Sequence, residues 1–255
     1  MKDVQTLIGL IVAIALLGCH ASMSVKAEDS RAVISALYTD NPMTIDGKLD
    51  EATWQEARVY ELNLGQDRAG SGHKLQQVGQ MQLAWDQKFL YVAIHFEDRD
   101  IIAEGDRDQM HHYLHGDLAE VFIKPTGSTW YWELYITPHG KKTHLWFPGS
   151  GRVGLKSNDD YAMGLQVAAQ IQGTLNDWRD HDSGWTGEMS IPIVDLQRHG
   201  DEFGLQEGAW TIMVARYNYC RYLKSRGPEL SMVPQMEHTN FHYLEGYAEL
   251  RLVSQ

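Results

Sequence analysis

Met81-Gln82-Leu83-Ala84-Trp85-Asp86-Gln87-Lys88-Phe89-Leu90-Tyr91-Val92-Ala93-Ile94-His95-Phe96 is the stretch that decides the fold. Residues 81–85 alternate in character, the period of a strand with one buried face. Asp86-Gln87-Lys88 is polar and suits a turn, and residues 89–96 are rich in β-branched and aromatic side chains. The pair reads as a β-hairpin.

The same pattern recurs outward from this hairpin. Leu118 to Ile123 is a strand closed by Lys124-Pro125-Thr126-Gly127, and Trp130 to Thr137 is one closed by Pro138-His139-Gly140. Lys142 to Phe147 follows and ends at Pro148-Gly149. Gly164 to Ile171, Gly184 to Ile191, Trp210 to Arg221 and Gly246 to Leu252 are further strand-like runs. Helical signals are few. Asp50 can cap a short helix through Ala57, with Glu51 in its first turn, and Pro192 can open a single turn through Leu196 that Gly200 stops. Many short strands between turns predict an all-β fold. We expect a β-sandwich of two antiparallel sheets, jelly-roll or immunoglobulin-like. No repeat of 20 to 50 residues and no internal linker is visible, so one domain is expected over residues 33–253.

The chain has 255 residues, 34 acidic against 22 basic, and a net charge of −12. Its 43% apolar and 22% charged residues exclude wholesale disorder. The negative balance repels phosphate backbones and anionic lipid, which argues against nucleic acid or a basic membrane patch as partner.

Residues 1–19 read as an address. Lys2 precedes an apolar run from Leu7 to Leu17, too short to span a bilayer but suited to a signal peptide. Leu16-Leu17-Gly18-Cys19 resembles the lipobox of bacterial lipoproteins, which implies lipidation at Cys19. Residues 20–32 then form a flexible tether. The expected location is extracytoplasmic, on the bacterial cell envelope through that anchor, or secreted. Cys220 is left without a partner and reads as a small packed residue.

Five blocks in order resemble the family 9 carbohydrate-binding modules. Ile45-Asp46-Gly47-Lys48-Leu49-Asp50-Glu51-Ala52-Thr53-Trp54 matches the opening IDGxLDExxW. Trp85-Asp86 through Leu90-Tyr91-Val92 to Glu97-Asp98 resembles the family hairpin, and Gly116-Asp117-Leu118-Ala119-Glu120-Val121-Phe122-Ile123 its D-x-x-E strand. Tyr131-Trp132-Glu133-Leu134 to Gly140 resembles the strand after it. Gly173-Thr174-Leu175-Asn176-Asp177 with Gly184-Trp185-Thr186-Gly187-Glu188 resembles the GTLND…GWTxE block. Residues 210–216 and 241–250 fit its last strands. The resemblance implies a β-sandwich that binds poly- or oligosaccharide without catalysis, assisting carbohydrate catabolism.

Sugar recognition needs flat apolar faces for the C–H side of a ring and fixed polar groups for its hydroxyls. Alternation puts Trp130, Trp132, Leu134 and Ile136 on one face, the core, and Tyr131, Glu133, Tyr135 and Thr137 on the other. Ala119, Val121 and Ile123 are likewise core, which leaves Glu120 on the side of Glu133 if the strands pair. The resemblance implies that Glu120 accepts sugar hydroxyls; the bland alternative is a pairing with Arg216. The family stacks sugar between two Trp, where this chain has Tyr113-Leu114 and Phe241, and it places an Arg where Glu133 stands. The candidate ligand-binding residues are Tyr113, Glu120, Glu133, Tyr135, Arg216 and Phe241. Trp146, Trp178 and His112 are alternative platforms.

The same residues admit other chemistry. His111, His112 and His115 cluster, but without H-E-x-x-H they read as a hydrated loop, and no metal site is assigned. Asp98-Arg99-Asp100 and Asp106-Arg107-Asp108 offer oxygens for a structural Ca²⁺ or are solvated turns; no other cofactor is expected. Glu120 and Glu133 also satisfy the carboxyl requirement of a glycoside hydrolase, the runner-up reading. A haem-binding DOMON-type sandwich using Met110 and a His is the third.

Overall fold

The structure is a computed structural model and describes residues 31–150, 157, 162–199, 205, 208–224 and 226–254. The expected signal peptide with Cys19, most of the tether, and Gly200 lie outside the described residues. The strands are β1 (Val33–Tyr38), β2 (Tyr60–Glu61), β3 (Gly79–Trp85), β4 (Phe89–Glu97), β5 (Leu118–Pro125) and β6 (Tyr131–Ile136). They continue as β7 (Lys142–Phe147), β8 (Gln166–Gln172), β9 (Gly184–Pro192), β10 (Trp210–Asn218), β11 (Glu229–Val233) and β12 (Ala248–Val253).

The hairpin that opened the reading is β3–β4, with Leu83 against Val92. Asp86 makes its turn: one carboxylate oxygen accepts the N–H of Lys88 at 2.6 Å and of Phe89 at 2.7 Å. The expectation of two separate antiparallel sheets is corrected. The hydrogen-bonded path runs unbroken as β7-β6-β5-β10-β12-β1-β3-β4-β9-β8, a nearly closed, barrel-like sandwich. The join is β1, which runs parallel to β12 (Val33 against Glu249) and, at its end, parallel to β3 (Tyr38 against Trp85). A strand between two parallel neighbours has no hairpin turn to announce it, and neither β1 nor the short β2 and β11 were foreseen.

The two halves close on one core. Trp132, Trp185 and Trp210 are fully buried there with Val121, Leu134, Met189 and Val214. Trp185 meets Phe96 edge-on at 5.2 Å. Inward and outward faces of β5 and β6 fall as the alternation requires: Ala119, Val121, Ile123, Trp132, Leu134 and Ile136 all lie in this core.

Glu188 explains why two distant sequence blocks occur together. Its carboxylate accepts the Trp54 indole N–H at 2.8 Å and the backbone N–H groups of Asp46 (3.1 Å) and Gly47 (2.8 Å). Gly47 is needed there twice over. Its φ is +82°, and a Cβ would stand 2.7 Å from the Ala169 backbone. The helix beside it, α1 (Ala52–Glu56), has Glu51 rather than Asp50 at its N-cap; the Glu51 carboxylate bonds back to the Thr44 N–H at 3.2 Å instead of capping. Further helices are α2 (Gln66–Gly70), which was not foreseen, and α3 (Ile193–Leu196), which starts after Pro192 as expected.

Candidate functional site

The outward face of β5, β6 and β10 is not open to solvent. Phe122, Tyr131, Met213 and Ala215 are covered by Met232, Met236, Phe241, Leu244 and Tyr247 in a second, smaller core. Where that cover stops, a pocket of about 510 Å³ remains. Glu120, Glu133 and Tyr135 line it from the strands, and Tyr113 and Phe241 from its sides. Five of the six residues read from sequence are thus brought together.

The register builds the floor. Glu120 stands opposite Tyr135, and Phe122 opposite Glu133, so the two carboxylates lie diagonally on one face. The Tyr135 hydroxyl donates its one proton to Glu133 Oε1 and lies beside Glu120. Glu133 Oε2, although buried, has no hydrogen-bond partner among the described residues. Burial and then the neighbouring Glu133 charge push the Glu120 carboxyl well above the usual range. Burial lifts Glu133 to about 7. The same desolvation raises the phenols of Tyr135 and Tyr217, which keeps their O–H groups as donors.

The walls are aromatic. Tyr113 and Tyr217 stand 6.0 Å apart, and Tyr217 meets the edge of Phe241 at 5.6 Å. Phe147, also lining the pocket, stacks flat on Tyr131 at 4.6 Å. His242 joins the rim, with its Nδ1 2.6 Å from the Tyr131 hydroxyl; burial lowers its pKa and favours neutral imidazole. Two anchors hold this side in place. The Tyr247 hydroxyl donates to the Phe241 carbonyl at 2.6 Å, and the Thr239 hydroxyl to Asp67 at 2.7 Å. His111, Leu145, Phe147, Tyr217, Leu230, Thr239, Asn240 and His242 are lining residues that the sequence reading did not assign. Tyr217 was findable: Met213, Ala215 and Tyr217 share the outward parity of β10. The 239–242 loop has no periodicity to find it by.

Arg216 is a correction. It faces the core, not the pocket, because its partner across β5 is Ala119, an inward residue. Its guanidinium donates to Asp98 at 3.1 Å and to the Glu97 carbonyl at 2.7 Å, and stacks over Phe96 at 4.6 Å. The alternative pairing with Glu120 therefore does not form.

The other candidates fall elsewhere. His112 is buried, with its ring nitrogens 2.9 Å from the Thr143 hydroxyl and 3.0 Å from the Arg107 carbonyl, which corrects the hydrated-loop reading for this residue. Asp100 is also buried and accepts the Arg221 N–H at 2.8 Å, so its turn is not a solvated one. Among the described residues no group of three or more His, Cys, Asp or Glu is placed to hold a metal ion. Cys220 is buried, and Gln77 donates to its sulfur at 3.2 Å. Trp146 lies in β7 stacked on His199 at 4.0 Å. Trp178 is exposed, away from the pocket lining.

A family model described as carbohydrate family 9 binding domain-like matches residues 45–209, and the chain belongs to that family. Solved structures share the fold. One is a protein from Bacteroides uniformis ATCC 8492 whose carbohydrate binding is itself a proposal, 14% identical, TM-score 0.66, covering 88% of this chain and all (100%) of that one. Two are a family 9 module from Caldicellulosiruptor kristjanssonii. Its cellotriose complex is 12% identical with TM-score 0.55, covering 88% of this chain and 94% of that one. Its glucose complex is 14% identical with TM-score 0.57, covering 88% and 96%. No curated protein matches the chain.

Proposed function

We propose that this protein binds carbohydrate without catalysis, holding a sugar in the pocket over Glu120, Glu133 and Tyr135. The observation that carries the reading is the pocket's composition. It combines aromatic walls for the C–H faces of a ring with buried acceptors and phenol donors for its hydroxyls. Family membership and the cellotriose and glucose complexes of the solved module support it. A hydrogen bond from a hydroxyl to a carboxylate is worth about 1.5–3 kcal/mol, so each carboxylate accounts for about tenfold or more in affinity. We further propose that Cys19 anchors the chain by lipid at the cell envelope, where binding assists carbohydrate catabolism.

Titration calorimetry of the full chain with glucose, cellotriose and xylo-oligosaccharides tests the pocket. Binding that drops at least tenfold in Tyr113→Ala is expected; no binding to any saccharide sinks the reading. For the anchor, wild type should enter the detergent phase and Cys19→Ala should not.

One observation favours a second reading. Two neighbouring buried carboxyls, one bonded to a phenol and titrating near neutrality, are also what a glycoside hydrolase would use as acid and base. Reducing-sugar release that disappears in Glu120→Gln would put that reading first.

A further inference from the structure

Both carboxylates sit in a pocket to which no Lys or Arg contributes among the described lining residues. No permanent cation faces the floor: His242, whose Nδ1 lies 4.0 Å from Glu133 Oε2, is held toward the neutral form by burial, so the two carboxyls keep a proton near neutral pH unless a cation is supplied. Glu120 and Glu133 are 2% and 4% exposed. The Tyr135 hydroxyl proton is already committed to Glu133 Oε1. Glu133 Oε2 is left as an unpartnered acceptor, buried and part of the pocket floor. The neutral sugar units that the family reading suggests bring hydroxyl donors, but no charge that would let both buried carboxyls ionise.

We infer that the preferred ligand is a saccharide carrying a free, unacylated amino group, whose ammonium is held between Glu120 and Glu133. This rests on the proposed sugar-binding reading of the same pocket and names its ligand class. An ammonium offers three N–H donors, enough to reach the free Glu133 oxygen and Glu120 together. Charge-assisted bonds are about twice as strong as neutral ones. The rings of Tyr113, Tyr217 and Phe241 add faces that attract a cation. An N-acetylated unit would lose the charge and bring a carbonyl toward two carboxylates.

The test is calorimetry of the full chain with three oligosaccharides of equal length: a glucosamine trimer, its fully N-acetylated form, and cellotriose. The expected result is at least tenfold tighter binding of the free amine. That preference should fall below about threefold in Glu133→Gln, with melting curves checking that the variant is folded. Glu120→Gln repeats the test should the first variant not fold. Equal or tighter binding of cellotriose overturns this inference and leaves the sugar-binding reading standing. An amine preference that survives in both variants reflects attraction to the acidic chain as a whole and also overturns it. No binding of any of the three removes both readings.

Discussion

Two pairs of carboxylates are buried on the two sides of β10. Asp98 and Asp117 meet Arg216 on its inward side, whereas Glu120 and Glu133 lie outward on the pocket floor. Burial raises the pKa in both pairs, so titration does not tell them apart. Their hydrogen bonds do. Asp117 accepts the N–H groups of Ile102 at 2.7 Å and Tyr219 at 2.6 Å, and Asp98 those of Asp100 at 3.0 Å and the Arg216 guanidinium at 3.1 Å. Every oxygen of that pair has a fixed donor and a cation lies beside it. The pocket pair has one phenol and a spare oxygen. A buried carboxylate whose acceptor capacity is used up holds the fold together; one with capacity left over is available to a ligand.

Arg216→Met is the strongest way to break this comparison. It leaves Asp98 and Asp117 without their cation and should destabilise the domain by about 3–5 kcal/mol in denaturant unfolding. Sugar affinity of the folded fraction should stay unchanged; lost affinity at full stability would make Arg216 a ligand residue after all. Glu188→Ala sharpens the comparison with a carboxylate satisfied wholly by neutral donors. Three N–H groups lose their acceptor, and about 3 kcal/mol of stability should go with them, read as a fall in Tm, with no change at the pocket.

The pH dependence comes next in size. The folded-state pKa of Glu133, about 7, lies above the ordinary 4.5, so the folded chain holds this proton more tightly than the unfolded chain does. The stabilisation is complete below about pH 4.5 and is lost as pH rises to about 7, a decline of about 1–3 kcal/mol. Urea midpoints between pH 4 and 8 should show this fall, and Glu133→Gln should make it shallower, with the remainder coming from Glu188, which burial also lifts to about 7, and from Glu120. Trp178→Ala should do least. The ring is exposed and outside the pocket lining, so stability should move by under about 0.5 kcal/mol and sugar affinity not at all.

Alternation alone placed Glu120, Glu133 and Tyr135 on one surface and Trp132 in the core, because β5 and β6 are regular and neighbours in sequence. Tyr113 and Phe241 came only through the family resemblance, since neither sits in a periodic run. The Arg216 error was avoidable. Trp210, Ile212, Val214 and Arg216 share one parity, and three apolar members mark that face as core. The partners of its guanidinium, Asp98 and the Glu97 carbonyl, lie at the end of β4 and in the turn after it, far from Arg216 in sequence. The cover over the outward face could not be read from pattern at all. It is built from a stretch between β11 and β12 whose contacts are set by tertiary packing.

The parallel pairing of β1 with β12 has a consequence for how the chain reaches its folded state. The strand that joins the two halves lies at the beginning of the folded unit, and its longest partner at the end. Loop closure between such distant segments comes late and is costly in chain entropy. During synthesis the two halves can form hairpins as they emerge, but the seam between them must wait for Ala248–Val253. Until then β1 has an open edge along Val33–Leu37, a template for pairing with another chain. Shortening the chain by its last strand should therefore yield not a slightly weaker sandwich but an aggregating one.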